Sequence, residues 1–494
     1  MRHTRFQNFR LLLILLPVFC LALVPLSAQV YDVRLSGAQQ VPPNESVATG
    51  RCLAVFDPDS SVLGMVCSHN VAGAEAAQIH VAVADAIGDP VLSFESAFSP
   101  MKGVFTLAAD EVEALQAGLL YVNIQSEGYP EGEIGGRIGP PADRAVSFRL
   151  SGDNEVPPVV TENSGVCAAV LTPLQDNLAV ACGHDAGGVL AAAVHRGAPG
   201  ATGPVVFGLG ASTTLMAEVT PMDVDDFGGV LADLLAGNLY VNVRTQAFPD
   251  GELRAQIPGP GVALYFPQFG NGDGFTSSIV LTNTSTTTEA EGVLAFYDGE
   301  GMPLPVMLGG VGGVIAPAPP VSEVPFVIPP LGATTVATSG QGALTVGSAE
   351  VISNVPVGGV VRFYTPGIGI AGFGSSAPMV RAIAPVRQEG DIRTAIAIRN
   401  NETYPIQVVL TLLGEDGQPP EFLGADENAV ELTIPANGQV PRFMDEHFPQ
   451  LAGETFLGTV VIEAVEGSFS AIALEMGSDP GEYTSLPVSP VLVP

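Results

Sequence analysis

Four cysteines and four histidines recur in two sets that share one spacing. Cys52, Cys67, His69 and His80 are each matched 115 residues later, by Cys167, Cys182, His184 and His195. In an exported chain, an even number of cysteines at duplicated spacing points to two local disulfides. Pairing Cys52 with Cys67 and Cys167 with Cys182 closes loops of about 16 residues, each stabilising by about 3 kcal/mol in the chain-entropy model. The same residues as thiolates and imidazoles have the ligand types of a zinc site, but the long first spacing lacks the short Cys-x-x-Cys knuckle. A free reactive thiol is the third reading. His69 and His80 fall on neighbouring strands if Val71–Ala76 is their turn. Such a pair holds copper or zinc weakly when a third ligand joins it. The plainer alternative is a partly buried imidazole bonded to backbone or carboxylate.

A second repeated phrase carries other candidates. "YVNIQSEGYPEGEI" starts at Tyr121 and "YVNVRTQAFPDGEL" at Tyr240. An exposed aromatic before a Pro turn, with a glutamate after it, makes Tyr129, Glu133, Phe248 and Glu252 candidate ligand contacts at two loop tips. The alternative for Glu133 and Glu252 is a strand-entry charge, paired in the second copy with Arg254. Acidic turns such as "DPDSS", "DAIGDP", "GNGDGF" and "DVDDFGG" leave calcium open, yet none fits an EF-hand loop. There is no Gly-x-Ser-x-Gly elbow, no His-Glu-x-x-His and no phosphate loop. The expectation is therefore a non-enzymatic protein, with a metal-binding or redox role for the His/Cys sets as the alternative. Asn44, Asn283 and Asn401 begin glycosylation sequons.

The elements that must position these residues read as short strands. "LSGAQQVPP" from Leu35 recurs as "LSGDNEVPP" from Leu150, and the offset of 115 holds from there to the second histidines. One register kept across so many rare residues is a duplication. "RCLAVFD" and "LGMVCSH" form a hairpin, as do "CAAVLTP" and "LAVACGH". Each copy has one predicted helix. The first ends at Gly118; the second has Thr220 as N-cap, Pro221 at the first turn, Asp223 as box partner and Gly237 as its stop. The YVN strand then turns at Pro130-Glu131-Gly132 or Pro249-Asp250-Gly251. In the C-terminal half, "GFTSSIVLTNTS" aligns with "DIRTAIAIRNNE", and "FYDGEGMPLP" with "LGEDGQPPEF". "VGGVVRFYTPGIGIAGFGS" is set against "LGTVVIEAVEGSFSAIALEMGS". The segment from Pro303 to Pro330 reads as an irregular loop.

At 494 residues the chain exceeds one core. It starts with Arg2, Arg5 and Arg10, an apolar run from Leu11 to Val24, and the small residues Ser27 and Ala28, the pattern of a cleaved export signal. Cys20 lacks the small residue that precedes a lipid-attachment cysteine. No later stretch reads as a membrane span, since Val355–Met379 carries Arg362, prolines and glycines. Without the leader, 15 basic residues face 51 acidic ones, a net charge of -36. That surface disfavours nucleic acid and anionic membrane. With 58 Gly, 42 Pro and 47% apolar residues, the chain is turn-rich and all-β rather than a disordered acidic polymer.

The first two units resemble the CHRD domain, the module named for chordin and found also in secreted bacterial proteins. The resemblance rests on "LSGAQQVPP", "AAQIH" and "AGLLYVNIQSEGYPEGEIGGRI", then on "LSGDNEVPP", "AAAVH" and "AGNLYVNVRTQAFPDGELRAQI". It implies an extracellular β-rich binding module with no established enzymatic activity. Family members often carry His-Ile-His at the "AQIH" position and a further His after YVN plus one residue. Here Gln78 or Ala193, and Gln125 or Arg244, stand in those places. The expected organisation is a signal peptide (1–28), CHRD-like domains at 29–140 and 144–258, and Ig-like β-sandwiches at 262–378 and 379–494. Antiparallel β-sandwich-like packing is expected throughout. The expected address is extracellular, at the cell surface or in the periplasm. The expected partner is an extracellular protein or polysaccharide, with no nucleic acid and no membrane insertion after signal cleavage. A purely structural envelope role is a further reading.

Overall fold

The computed structural model describes residues 28–83, 86–142, 144–309, 319–365, 367, 369–424, 427–477 and 483–491. The leader, with Cys20, lies outside them, as does Asp85 of one acidic turn. The first unit comprises β1 (Gln29–Ser36), β2 (Thr49–Asp57), β3 (Val62–His69), β4 (Ala74–Val83), β5 (Ala86–Ser93), β6 (Met101–Thr106), α1 (Ala109–Gln116), β7 (Leu120–Ser126) and β8 (Tyr129–Arg137). The second comprises β9 (Ala145–Ser151), β10 (Ser164–Leu171), β11 (Leu178–His184), β12 (Val189–Arg196), β13 (Val205–Gly210), β14 (Thr214–Val219), α2 (Phe227–Leu235), β15 (Leu239–Thr245) and β16 (Leu253–Ile257).

Each unit is one antiparallel sheet wrapped around its own core. The strand order β5-β4-β7-β8-β1-β2-β3-β6 repeats strand for strand as β13-β12-β15-β16-β9-β10-β11-β14. The duplication therefore extends to topology. Period-two alternation explains how β1 serves two faces. Tyr31, Val33 and Leu35 enter the first core, while Val30 packs with Leu53 and Val66 against Ala168, Val170, Ala179 and Ala181 of the second unit. The small alanines let the two sheets approach closely.

The helix of the second unit starts later than its sequence suggests. Asp223 accepts hydrogen bonds from the backbone N–H and the hydroxyl of Thr220, closing a separate turn. Asp226 then caps α2 by accepting from Gly229 N–H. Gly118 and Gly237, at φ +64° and +68°, end the two helices as expected.

The third unit contains β17 (Val262–Asn271), β18 (Thr276–Asn283), β19 (Ala290–Tyr297), β20 (Leu308–Gly309), β21 (Glu323–Ile328), β22 (Ala333–Thr338), β23 (Thr345–Ser353), β24 (Val357–Thr365) and β25 (Gly369–Gly374). Two sheets, β17-β23-β19-β21 and β20-β22-β18-β24-β25, enclose one core. Of the expected loop Pro303–Pro330, residues 310–318 lie outside the described residues, and the described part is not wholly irregular, because β20 and β21 lie within it and pair with β22 and β19.

The fourth unit contains β26 (Arg381–Glu389), β27 (Ile392–Asn400), β28 (Ile406–Gly414), β29 (Ala429–Ile434), β30 (Gln439–Phe443), a short α3 (Met444–His447), β31 (Phe456–Ala464), β32 (Phe469–Met476), β33 (Tyr483–Leu486) and β34 (Ser489–Pro490). Its pairings repeat those of the third. Strand β17 on β23, β19 on β23 and β21, and β18 on β22 and β24 become β26 on β31, β28 on β31 and β29, and β27 on β30 and β32. The first two sequence alignments of this half agree with that correspondence. The third is displaced by one strand: the segment from Val357 (β24) matches β32, not the β31 segment at Leu457. Apolar β-strands with similar glycines are nearly interchangeable by composition, whereas pairing distinguishes them.

Candidate binding site

The repeated phrases meet in space. In the first unit, the loop after β1 carries Gln40 to the middle of the β7–β8 hairpin. There Gln40 Nε2 donates to Asn123 Oδ1 at 2.8 Å, and Asn123 Nδ2 donates to the Glu131 carbonyl at 2.9 Å. In the second unit, Asn242 Nδ2 donates to both oxygens of Glu155, at 2.8 and 3.1 Å. Gly132 and Gly251, at φ +142° and +150°, lie directly over these contacts, where a side chain would collide with them. That close approach accounts for the glycine in both Pro-x-Gly-Glu phrases.

Glu133 and Glu252 turn inward rather than toward solvent. Glu133 accepts from Ser46 Oγ at 3.0 Å and from Ser126 Oγ. Glu252, only 2% exposed, accepts from Thr161 Oγ1 at 2.8 Å, Asn163 Nδ2 at 2.6 Å and Thr245 Oγ1 at 2.6 Å. Burial alone would raise its carboxyl; these bonds hold it below the ordinary range. Arg254 is not its partner. That guanidinium lies 3.6 Å over the Tyr240 ring and donates to the Ala201 carbonyl at 2.6 Å. What the hairpin ends expose is Glu127, Gly128, Pro130 and Glu131, or Gln246, Ala247, Pro249 and Asp250, with Tyr129 and Phe248 half-buried beside them. The turns differ. The second closes at Pro249-Asp250 as read, whereas in the first the ladder closes at Ser126 and Tyr129, and Pro130 lies in the return strand.

The glutamine-to-glutamate change at the lock has an electrostatic consequence. Burial pushes the Glu155 carboxyl up to about 7, against the pull of the Arg254 guanidinium. Sequence reasoning did not single out Gln40, Asn123, Glu155 or Asn242. Their signal was present, since both partners sit inside the repeated phrases.

The cysteines form Cys52–Cys67 and Cys167–Cys182, cross-strand pairs in β2–β3 and β10–β11 with Cα atoms 4.0 and 4.1 Å apart. All four are buried. The zinc set does not assemble, because its sulfurs are bonded to each other and its histidines lie apart. Strands β3 and β4 are not neighbours; β7, β8, β1 and β2 stand between them. The Val71–Ala76 link therefore does not turn back: it runs over the surface at Ala72 and Gly73, with Val71 buried at its start, and Ala74–Ala76 already belong to β4.

Each histidine instead ties a loop to its strand. His69 Nε2 meets the Ala97 carbonyl at 2.8 Å, and His184 Nε2 meets that of Ser212 at 3.0 Å. His80 and His195 bind the Gly88 and Gly203 carbonyls through Nδ1, at 2.8 and 3.1 Å. His195 also stacks on Tyr240 with ring centroids 5.0 Å apart. Burial lowers the imidazole pKa of His69 and His184. Among the described residues no group of three or more His, Cys, Asp or Glu side chains is placed to hold a metal.

The sequon asparagines are engaged within the fold. Asn44 Nδ2 donates to the Gly132 and Glu133 carbonyls, Asn283 donates to the Thr288 and Ile328 carbonyls, and Asn401 is 5% exposed. Among the described residues no helix is long and apolar enough to cross a membrane.

Residues 31–138 and 146–257 each match the family model of the CHRD domain, so the chain carries two CHRD domains in tandem. No curated protein and no solved structure matches the chain.

Proposed function

We propose that this tandem CHRD-domain chain is exported and acts outside the cytoplasm as a non-enzymatic binding protein. Its partner is an extracellular protein or polysaccharide met at two hairpin ends, Tyr129–Glu131 and Phe248–Asp250. The observation that carries this reading is the internal bonding of both hairpin ends. Asn123 Nδ2 donates to the Glu131 carbonyl in the first and Phe248 N–H donates to Thr245 Oγ1 in the second, so each exposed tip is held in one shape before any partner arrives, which lowers the entropy lost on binding. Glu133 and Glu252 support the tips from within. Two tips on one chain raise avidity where a partner spans both. Local disulfides are consistent with an oxidising compartment.

Two measurements test the reading. Mature protein recovered from the exported fraction should begin at Gln29 and weigh four hydrogens less than the reduced chain. In a pull-down on surface material of the source cells, Tyr129→Ala with Phe248→Ala should lose most of the binding while keeping the thermal midpoint. Unchanged binding would exclude the tips.

A further inference from the structure

A polar cavity of about 580 Å³ opens where both CHRD domains meet the fourth unit. Arg34 and Arg51 enter it from β1 and β2, Glu218 from β14, and Tyr404 and Glu466 from loops of the fourth unit. From this arrangement we infer that the cavity is a binding site for a neutral saccharide of one or two rings.

The walls are fixed before any ligand enters. Arg51, 2% exposed, donates to both oxygens of Asp32 at 2.7 Å and to Glu218 Oε2 at 2.9 Å across the domain boundary. Burial alone would raise the Asp32 carboxyl, but the Arg51 guanidinium holds it below its ordinary range. Thr403, next to Tyr404, donates to the Asp32 carbonyl at 3.0 Å. The fourth unit is thereby anchored to the same ion pair.

Several polar groups on these walls have valences left over. The Arg34 side chain is 30% exposed, and its Nη1 stands 3.7 Å from Glu218 Oε2, too far for a hydrogen bond. Among the described residues, both hydrogen bonds to the Glu218 carboxylate fall on Oε2, leaving Oε1 as an open acceptor. An anion would face Glu218 and Glu466, and a cation would face Arg34 and Arg51. A sugar hydroxyl suits both, because it donates to a carboxylate while accepting from a guanidinium. The Tyr404 ring adds an apolar wall for sugar C–H groups. The volume lies within the range of about 300–1,000 Å³ typical of small-molecule sites.

This site is independent of the hairpin tips, so each reading can fail alone. The full mature chain should be titrated calorimetrically with a panel of neutral mono- and disaccharides, with glycine as a zwitterionic control. At least one sugar should bind and glycine should not. Glu466→Ala should weaken that sugar about tenfold, and Tyr404→Leu, which keeps bulk but removes the flat ring, about threefold. Tyr129→Ala with Phe248→Ala should leave it unchanged. Absence of sugar binding, binding indifferent to Glu466→Ala and Tyr404→Leu, or binding of glycine alone would each overturn the inference.

Discussion

In the first CHRD domain the amide of Asn123 meets a second amide, Gln40; in the second, the amide of Asn242 meets a carboxyl, Glu155. The backbone frame is shared, with the same strand order, the same glycine over the contact and the same disulfide-closed hairpin. Duplication has kept the geometry of the joint and left its protonation chemistry free to diverge. One lock is indifferent to pH and the other is not.

The largest expected effect tests the shared frame. Cys52→Ala with Cys67→Ala, and Cys167→Ala with Cys182→Ala, should each destabilise their own domain by about 3 kcal/mol, because the loops closed are equal. Hydrogen exchange, which reports each domain separately, should show matching losses in β2–β3 and β10–β11. A loss confined to one domain would mean that the two frames are not energetically equivalent.

The next effect tests the difference. A carboxyl with its folded pKa raised to about 7 keeps its proton in the folded chain after the unfolded chain has released it. Its stabilising effect is therefore complete below about pH 4.5 and is lost as pH rises toward 7, by up to about 3 kcal/mol. Glu402, also pushed up to about 7 by burial, adds a similar slope in the fourth unit. The test is accordingly the difference between wild type and Glu155→Gln. Relative to Glu155→Gln, the wild type should lose exchange protection in β15–β16 from pH 4.5 to 7, while β7–β8 responds equally in both. Equal slopes in wild type and Glu155→Gln would assign the pH dependence to another group.

Much of the frame was legible because it depends on rare residues at short range. Cys52 and Cys67 stand equally far from a turn-forming "PDSS", so hairpin and disulfide follow together. The repeat of topology followed from Leu35, Cys52, His69 and His80 keeping register with their counterparts. Failures came wherever local signals competed or contacts were distant. Thr220 looked like a cap, but its bonds to Asp223 close a turn and leave Asp226 to start the helix. His69 and His80 looked adjacent because a short link resembles a turn, whereas this one joins strands that have four others between them in the sheet. Gln40 and Asn123 are 83 residues apart, and Arg51 and Glu218 are 167 apart, so neither contact has a local pattern.

The smallest expected effect asks how tightly each joint is packed. Gly132→Ala and Gly251→Ala both force a side chain into a backbone region suited to glycine, costing about 1–2 kcal/mol. The two should not be equal. A Cβ at Gly132 would collide with Asn123 Oδ1 and come within 2.5 Å of Gln40 Nε2, so both amides of the first lock must move. At Gly251 the nearest atoms, Asn242 Nδ2 and Glu155 Oε1, lie 2.6 Å away. The first domain should therefore lose more exchange protection in its hairpin than the second. Adding Gln40→Ala should relieve part of that loss by removing one of the obstructing side chains. If Gly132→Ala and Gly251→Ala cost the same, and Gln40→Ala relieves nothing, the penalty belongs to backbone strain and the close packing of the lock contributes little.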